Sequence, residues 1–114
     1  MHVDLQRTEP ALVCHLVGNL EQHTAPDFRE AIASMPAVPH LVFDLCAVPF
    51  IDSSGLGALI GAVRRIRELG TDVVICSPRP SIKRVLEMVE LDRVVPVLPA
   101  LEDAARYFSH AGVA

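Results

Sequence analysis

Asp52, Ser53 and Ser54 adjoin one another in Phe50-Ile-Asp-Ser-Ser-Gly-Leu-Gly-Ala-Leu-Ile-Gly61. A serine hydroxyl beside a carboxylate and a glycine run can serve as a nucleophile, a helix cap or a phosphate acceptor. A nucleophile elbow needs Gly-x-Ser-x-Gly, but Ile51 and Asp52 stand where the first glycine belongs for either serine. No histidine has a sequence context that makes it a base for Ser53. Gly55, Gly57 and Gly61 miss the dinucleotide fingerprint Gly-x-Gly-x-x-Gly by one residue. A phosphate-binding P-loop needs Gly-Lys-Ser/Thr, and Lys83 is the only lysine in the chain. Catalysis by this chain is therefore not expected. Capping and modification remain. Asp52, Ser53 or Ser54 can cap the following helix, whose free amides and positive dipole end also suit a phosphate. Gly57 and Gly61 lie about one helical turn apart. They imply either tight packing of that helix on a sheet or the close approach of a partner backbone.

The flanking pattern supplies the elements that must hold this segment. Val3 to Thr8 is a half-polar edge strand, and Pro10 marks a turn. In Ala11 to Val17, Leu12, Cys14 and Leu16 alternate with Val13, His15 and Val17, the period of a strand with one well-buried face. Thr24-Ala-Pro-Asp27 opens a helix with Thr24 as cap, and Phe28, Ala31, Ile32 and Met35 form its apolar face. Leu41 to Cys46 is apolar on both faces and belongs in the middle of a sheet. Asp44 interrupts it, as an acid that reaches solvent or a backbone amide, or as a site residue beside the next loop.

Leu56, Leu59, Ile60, Val63 and Ile66 define a second helix, capped at Gly70 in the left-handed region. Asp72 to Cys76 is a strand. Ser77-Pro78 opens a third helix with Ile82, Val85, Leu86 and Val89 on its apolar side. Val94 to Leu98, carrying Pro96, is an edge strand. Leu101, Ala104, Ala105 and Phe108 close the chain as a helix. The order ββαβαβαβα predicts an α/β domain spanning residues 1–114, a single-layer mixed β-sheet of four to five strands with about four helices.

Bulk counts narrow the function classes. In 114 residues, 51% hydrophobic and 4% aromatic, the core must be aliphatic. Ten basic and 14 acidic residues give a net charge of -4, which argues against direct DNA binding and against a polybasic membrane contact. Cys14, Cys46 and Cys76 are odd in number and widely spaced, so they are read as buried small hydrophobes in a reducing cytoplasm, neither a disulfide framework nor a metal site. His2, His15, His23, His40 and His110 are scattered and are expected at the surface or at loop edges, with no ligand role. The N-terminus shows no signal peptide, and the uncharged stretch from Ser53 to Val63 is too short to span a membrane.

Asp44-Leu-x-x-Val-x-Phe-Ile-Asp-Ser-Ser-Gly-Leu-Gly57 resembles the signature of the STAS domain, the sulfate transporter and anti-sigma factor antagonist family. Gly18-Asn-Leu-Glu-x-x-Thr-Ala-Pro26 is similar to the segment before that family's first helix. Ser77-Pro-x-x-x-Ile-Lys-Arg-Val-Leu-Glu-Met-Val-Glu-Leu-Asp92 is similar to its third helix. The likeness extends over nearly the whole chain, and its stand-alone length favours the antagonist branch.

That resemblance implies a partner: an anti-sigma factor that is also a serine kinase. The unphosphorylated antagonist captures it and a sigma factor is freed; ATP-dependent phosphorylation releases the antagonist, and a phosphatase resets the cycle. The serine directly after Asp is the modified one, here Ser53, with Ser54 as second choice. Glu21, Thr24, Asp52, Ser53, Ser54, Gly55, Leu56, Gly57 and Gly61 are the expected partner-binding residues. The family's Gly-Glu-Leu-Asp reads Gly18-Asn19-Leu20-Glu21 here, so one acid is lost and the other stands on a longer arm. No cofactor and no metal is implied, and a monomer or weak dimer is expected. Two alternatives share the fold: a scaffold subunit of a stress-signalling complex, and a nucleotide- or small-ligand-binding module.

Overall fold

The computed structural model describes residues 1–111, with side chains as far as Ser109. Strands β1 (His2–Arg7) and β2 (Leu12–Val17) form an antiparallel hairpin. Helix α1 (Ala25–Ala33), strand β3 (His40–Ala47), helix α2 (Ser53–Glu68), strand β4 (Asp72–Cys76) and helix α3 (Pro80–Met88) follow. A 3-10 turn (Leu91–Arg93), strand β5 (Val97–Leu98) and helix α4 (Leu101–Ala111) complete the described residues. The sheet order is β1-β2-β3-β4-β5, parallel from β2 onward. The expected mixed sheet with four helices is what the chain forms, with β3 at its centre and β1 and β5 at its edges.

Alternation along the strands builds two cores. Leu12, Cys14 and Leu16 of β2, Leu41, Phe43 and Leu45 of β3, and Val73 and Ile75 of β4 share one cluster with Phe28, Leu59, Val63 and Leu86 of the first three helices. Val13, Val42, Val74 and Cys76 point to the other face, where Ala104 and Phe108 of α4 cover them. Three helices on one face and one on the other leave part of the second face open. Helix α2 stops as its sequence predicts. Gly70 has φ +91, and Gly70 and Thr71 donate to the carbonyls of Arg67 (2.9 Å) and Ile66 (3.3 Å), the paired bonds of a Schellman cap.

Several expectations need correction. Helix α3 begins at Pro80, not at Ser77-Pro78. Ser77 takes φ +58 and donates its amide to the Leu98 carbonyl at 2.9 Å, so it serves the sheet. Val89, expected on the apolar side of α3, lies beyond the helix end and is exposed. Strand β5 is shorter than Val94 to Leu98. The amides of Val94 and Val95 both go to the Leu91 carbonyl, at 2.9 and 3.1 Å, which leaves them no part in the ladder. Cys46 is exposed, whereas Cys14 and Cys76 are buried. Burial pushes both of those thiols up to about 12. His15 and His40 are half-buried; His40 opens β3 at a loop edge as expected, whereas His15 lies inside β2. The His40 ring packs 4.7 Å from that of Phe108, and His15 is held within the sheet. The side chain of His110 and residues 112–114 lie outside the described residues. Among the described residues no helix is long and apolar enough to cross a membrane, and no cluster of His, Cys, Asp or Glu has the makings of a metal site.

Candidate partner-binding site

The site is built where the end of β3 and the end of β2 run side by side. Beyond β2 the chain turns at Gly18 (φ +104), and Leu20 then pairs with Ile51 in an isolated parallel bridge. Leu20 donates to the Phe50 carbonyl at 3.0 Å and accepts from the Asp52 amide at 3.2 Å. Two loops are thereby tied together before α2 begins.

Asp52 fastens the same joint with its side chain. Its backbone is extended, and its Oδ1 accepts from the Gly55 amide at 2.8 Å, so it is the cap of α2. Its Oδ2 accepts from the Gln22 amide at 3.1 Å in the neighbouring loop. The Gly55 N–H, and after it the Gln22 N–H, hold the Asp52 carboxyl below its ordinary value, so it is charged at neutral pH.

Gly55 has no freedom to be anything else. A Cβ there would run into the carbonyl carbon and oxygen of Leu20, which are backbone and cannot swing aside. Gly57 and Gly61 are different. A Cβ on either would meet nothing within 4 Å, so packing on the sheet is not their reason. Both are exposed and line a groove between α1 and α2. Two interior glycines cost a helix about 1 kcal/mol each relative to alanine, and no internal contact offsets that here.

Ser53 and Ser54 occupy the first two positions of α2, and both are exposed. Among the described residues neither hydroxyl has a hydrogen-bond partner. Leu56 is half-buried against the core.

Thr24 does not cap α1 as expected. Its backbone is already helical, and its hydroxyl accepts from the Glu21 amide at 2.9 Å and donates to the Asn19 carbonyl at 2.7 Å. Glu21 Oε1 takes the amides of His23 (2.9 Å) and Thr24 (3.1 Å), in the turn that leads into α1. The longer arm of Glu21 lets it fold back onto the turn. Glu21 and Thr24 thus brace the loop that Asp52 holds against α2.

Asp44 lies elsewhere. It points to the α4 side of the sheet, is 5% exposed, accepts from the Cys46 amide at 3.1 Å and pairs with His15 Nδ1 at 2.7 Å. The backbone-amide expectation for Asp44 holds. Its histidine partner, 29 residues away, left no local signal. Phe50, 52% exposed and three residues before Ser53, was also not among the expected site residues, although it stands inside the motif. Leu20 and Gln22 contribute through backbone groups, which no side-chain pattern reveals.

The model of the STAS domain matches residues 2–104. The chain belongs to the STAS domain family. It is 30% identical over 101 residues, 85% of this chain and 86% of the relative, to an anti-sigma F factor antagonist of Paenibacillus polymyxa. A crystal structure of an anti-sigma factor antagonist from Mycobacterium paratuberculosis superposes with a TM-score of 0.79 at 29% identity, covering 93% of this chain and 92% of that one. The Bacillus cell fate determinant SpoIIAA in its phosphorylated form has the same fold, with a TM-score of 0.70 at 22% identity, covering 94% of this chain and 99% of that one.

Proposed function

We propose that this STAS domain is an anti-sigma factor antagonist. In this reading its unphosphorylated surface around Ser53 binds an anti-sigma factor with serine kinase activity and so frees a sigma factor. The supporting observation is the setting of Ser53. Its hydroxyl is exposed and uncommitted on the first turn of α2, on a joint locked by Asp52, Leu20 and Gly55. The names of the relatives agree with a regulatory binding protein. The chain is then a substrate and not an enzyme. The kinase forms the bond from Ser53 Oγ to the γ-phosphorus of ATP, ADP leaves, and the hydroxyl proton passes to the kinase's base. A phosphatase returns Ser53 by hydrolysis. Ser54 is the second candidate.

The switch is electrostatic. Phosphate adds roughly -1.5 to -2 charges at neutral pH, taking the chain from -4 to about -6. It adjoins Asp52, already charged. The amides at the start of α2 offset part of that within the domain, so the fold tolerates it. An interface that must desolvate the same patch without a matching cation does not.

Incubation with purified anti-sigma factor kinases and ATP, followed by mass spectrometry, tests the reading. Phosphate on Ser53, tight binding by Ser53→Ala and weak binding by Ser53→Asp are expected. Phosphate on neither Ser53 nor Ser54, or equal binding by the two variants, overturns it.

A further inference from the structure

Ser53, Gly57, Gly61 and Arg65 recur every four residues, so they lie along one side of α2. Beyond Ser53 that side forms one wall of the groove between α1 and α2, a cavity of about 220 Å³. Ile32, Ala58 and the two glycines make it apolar, and Arg29 and Arg65 stand at its rim. Among the described residues neither arginine is paired with a carboxylate. A basic pair beside an apolar groove stands out on a chain whose net charge is -4, and it selects an anionic occupant.

The walls also select its form. Both are helices whose backbone groups bond internally, so the groove offers no ladder to an extended peptide. A helix satisfies its own backbone and can present an apolar residue flanked by acids on one face. Gly57 and Gly61, with hydrogen in place of a side chain and nothing of their own fold against them, let such a helix approach closely.

We propose that this groove seats an acidic amphipathic helix of the anti-sigma factor, one apolar side chain entering between Gly57 and Gly61 and carboxylates meeting Arg29 and Arg65. The proposal rests on the reading of Ser53 given above and deepens it. Ser53 lies about 6 Å along the helix axis from Gly57. Phosphate on Ser53 then faces the end of an acidic helix and repels it.

Purified anti-sigma factors of the host genome are tested one by one for binding to the wild-type chain, and Kd for the one that binds is measured with Gly61→Leu, with Arg29→Glu/Arg65→Glu and with Ser53→Asp. Gly61→Leu and the charge reversal each weaken binding by at least about tenfold. Gly61→Leu melts no lower than wild type, because leucine is the better helix former. If Ser53→Asp abolishes binding while both groove variants bind within about twofold of wild type, the groove proposal is wrong and the Ser53 reading stands. No binding by wild type, or equal binding by Ser53→Asp, overturns both. A wild-type dimer in sedimentation that Gly61→Leu dissociates assigns the groove to a second copy of this chain and overturns the proposal.

Discussion

The carbonyl group of Leu20 fills the space that a side chain at Gly55 would need. This contact sets how the turn after β2 meets the first turn of α2, and hence where Ser53 is displayed. Gly55→Ala must push two backbones apart. The expected loss is roughly 1–3 kcal/mol, the usual range for overpacking a close contact. Thermal unfolding checks it, and Tm should fall by at least about 4 °C. An unchanged Tm would mean that the joint is soft.

Gly57 and Gly61 should respond in the opposite sense. A methyl group at either meets nothing, and neither has a positive φ. Gly57→Ala and Gly61→Ala should each stabilise the chain by about 0.4–1 kcal/mol. Urea titration measures this directly, and a loss of stability would place an unseen contact at that position.

Asp52 gives the joint an acid-sensitive component. The Gly55 and Gln22 amides hold its folded carboxyl below the ordinary value of 3.8. A depressed folded value contributes stability that is present above 3.8 and is lost as pH falls through the lower folded value. Asp52→Asn removes that dependence. The stability gap between wild type and variant should narrow as pH drops from about 7 to about 3. A gap that stays constant would show that the charge of Asp52 is irrelevant to its bonds.

His15 and Asp44 are a second testable pair. Removing the imidazole in His15→Ala leaves a carboxylate, 5% exposed, with only the Cys46 amide and thiol beside it. Water enters the space vacated, so the cost falls toward the low end of roughly 1–3 kcal/mol. Asp44→Asn should partly restore the variant, since a neutral amide costs less to leave unpaired. A double-mutant cycle reports the coupling, and additive effects would show that the 2.7 Å contact carries no energy.

The cysteines differ in access. Cys46 alone should react with a thiol reagent in the native protein, while Cys14 and Cys76 react only on unfolding. Burial, with the Asp44 charge, raises the Cys46 thiol too, so its reaction is slower than that of a free thiol. Cys14 and Cys76 are raised from 9.0 to about 12. The stability they protect is present below 9.0 and is lost as pH rises from there toward 12. Fast native labelling of all three would contradict the burial.

The strand and helix order, the central place of β3, the cap at Gly70 and the serine motif were legible because each rests on short-range periodicity or on one residue's backbone preference. The start of α3 and the length of β5 were not. Ser77 and Val94 hold their backbones through bonds to Leu98 and Leu91, and a bond of that kind leaves no mark on hydropathy. The expectation that Cys46 is buried failed for a related reason. Alternation tells which face of a strand a residue takes, and it does not tell where the single covering helix ends.

The sequence by itself determined the α/β architecture, the aliphatic core and the segment Asp52 to Gly61 as the place of interest. Tertiary structure alone decided what those residues do there. Asp52 bonds across to Gln22, the Thr24 hydroxyl turns back to Glu21 and Asn19 instead of capping α1, and Gly55 is fixed by Leu20. Gly57 and Gly61, alike in sequence to Gly55, face an open groove instead of the fold's own backbone. For Asp52 and Gly55 the physical reason is the same. A glycine or a carboxylate is defined by what stands opposite it, and that neighbour comes from a part of the chain about thirty residues away, brought close only when β2 and β3 pair.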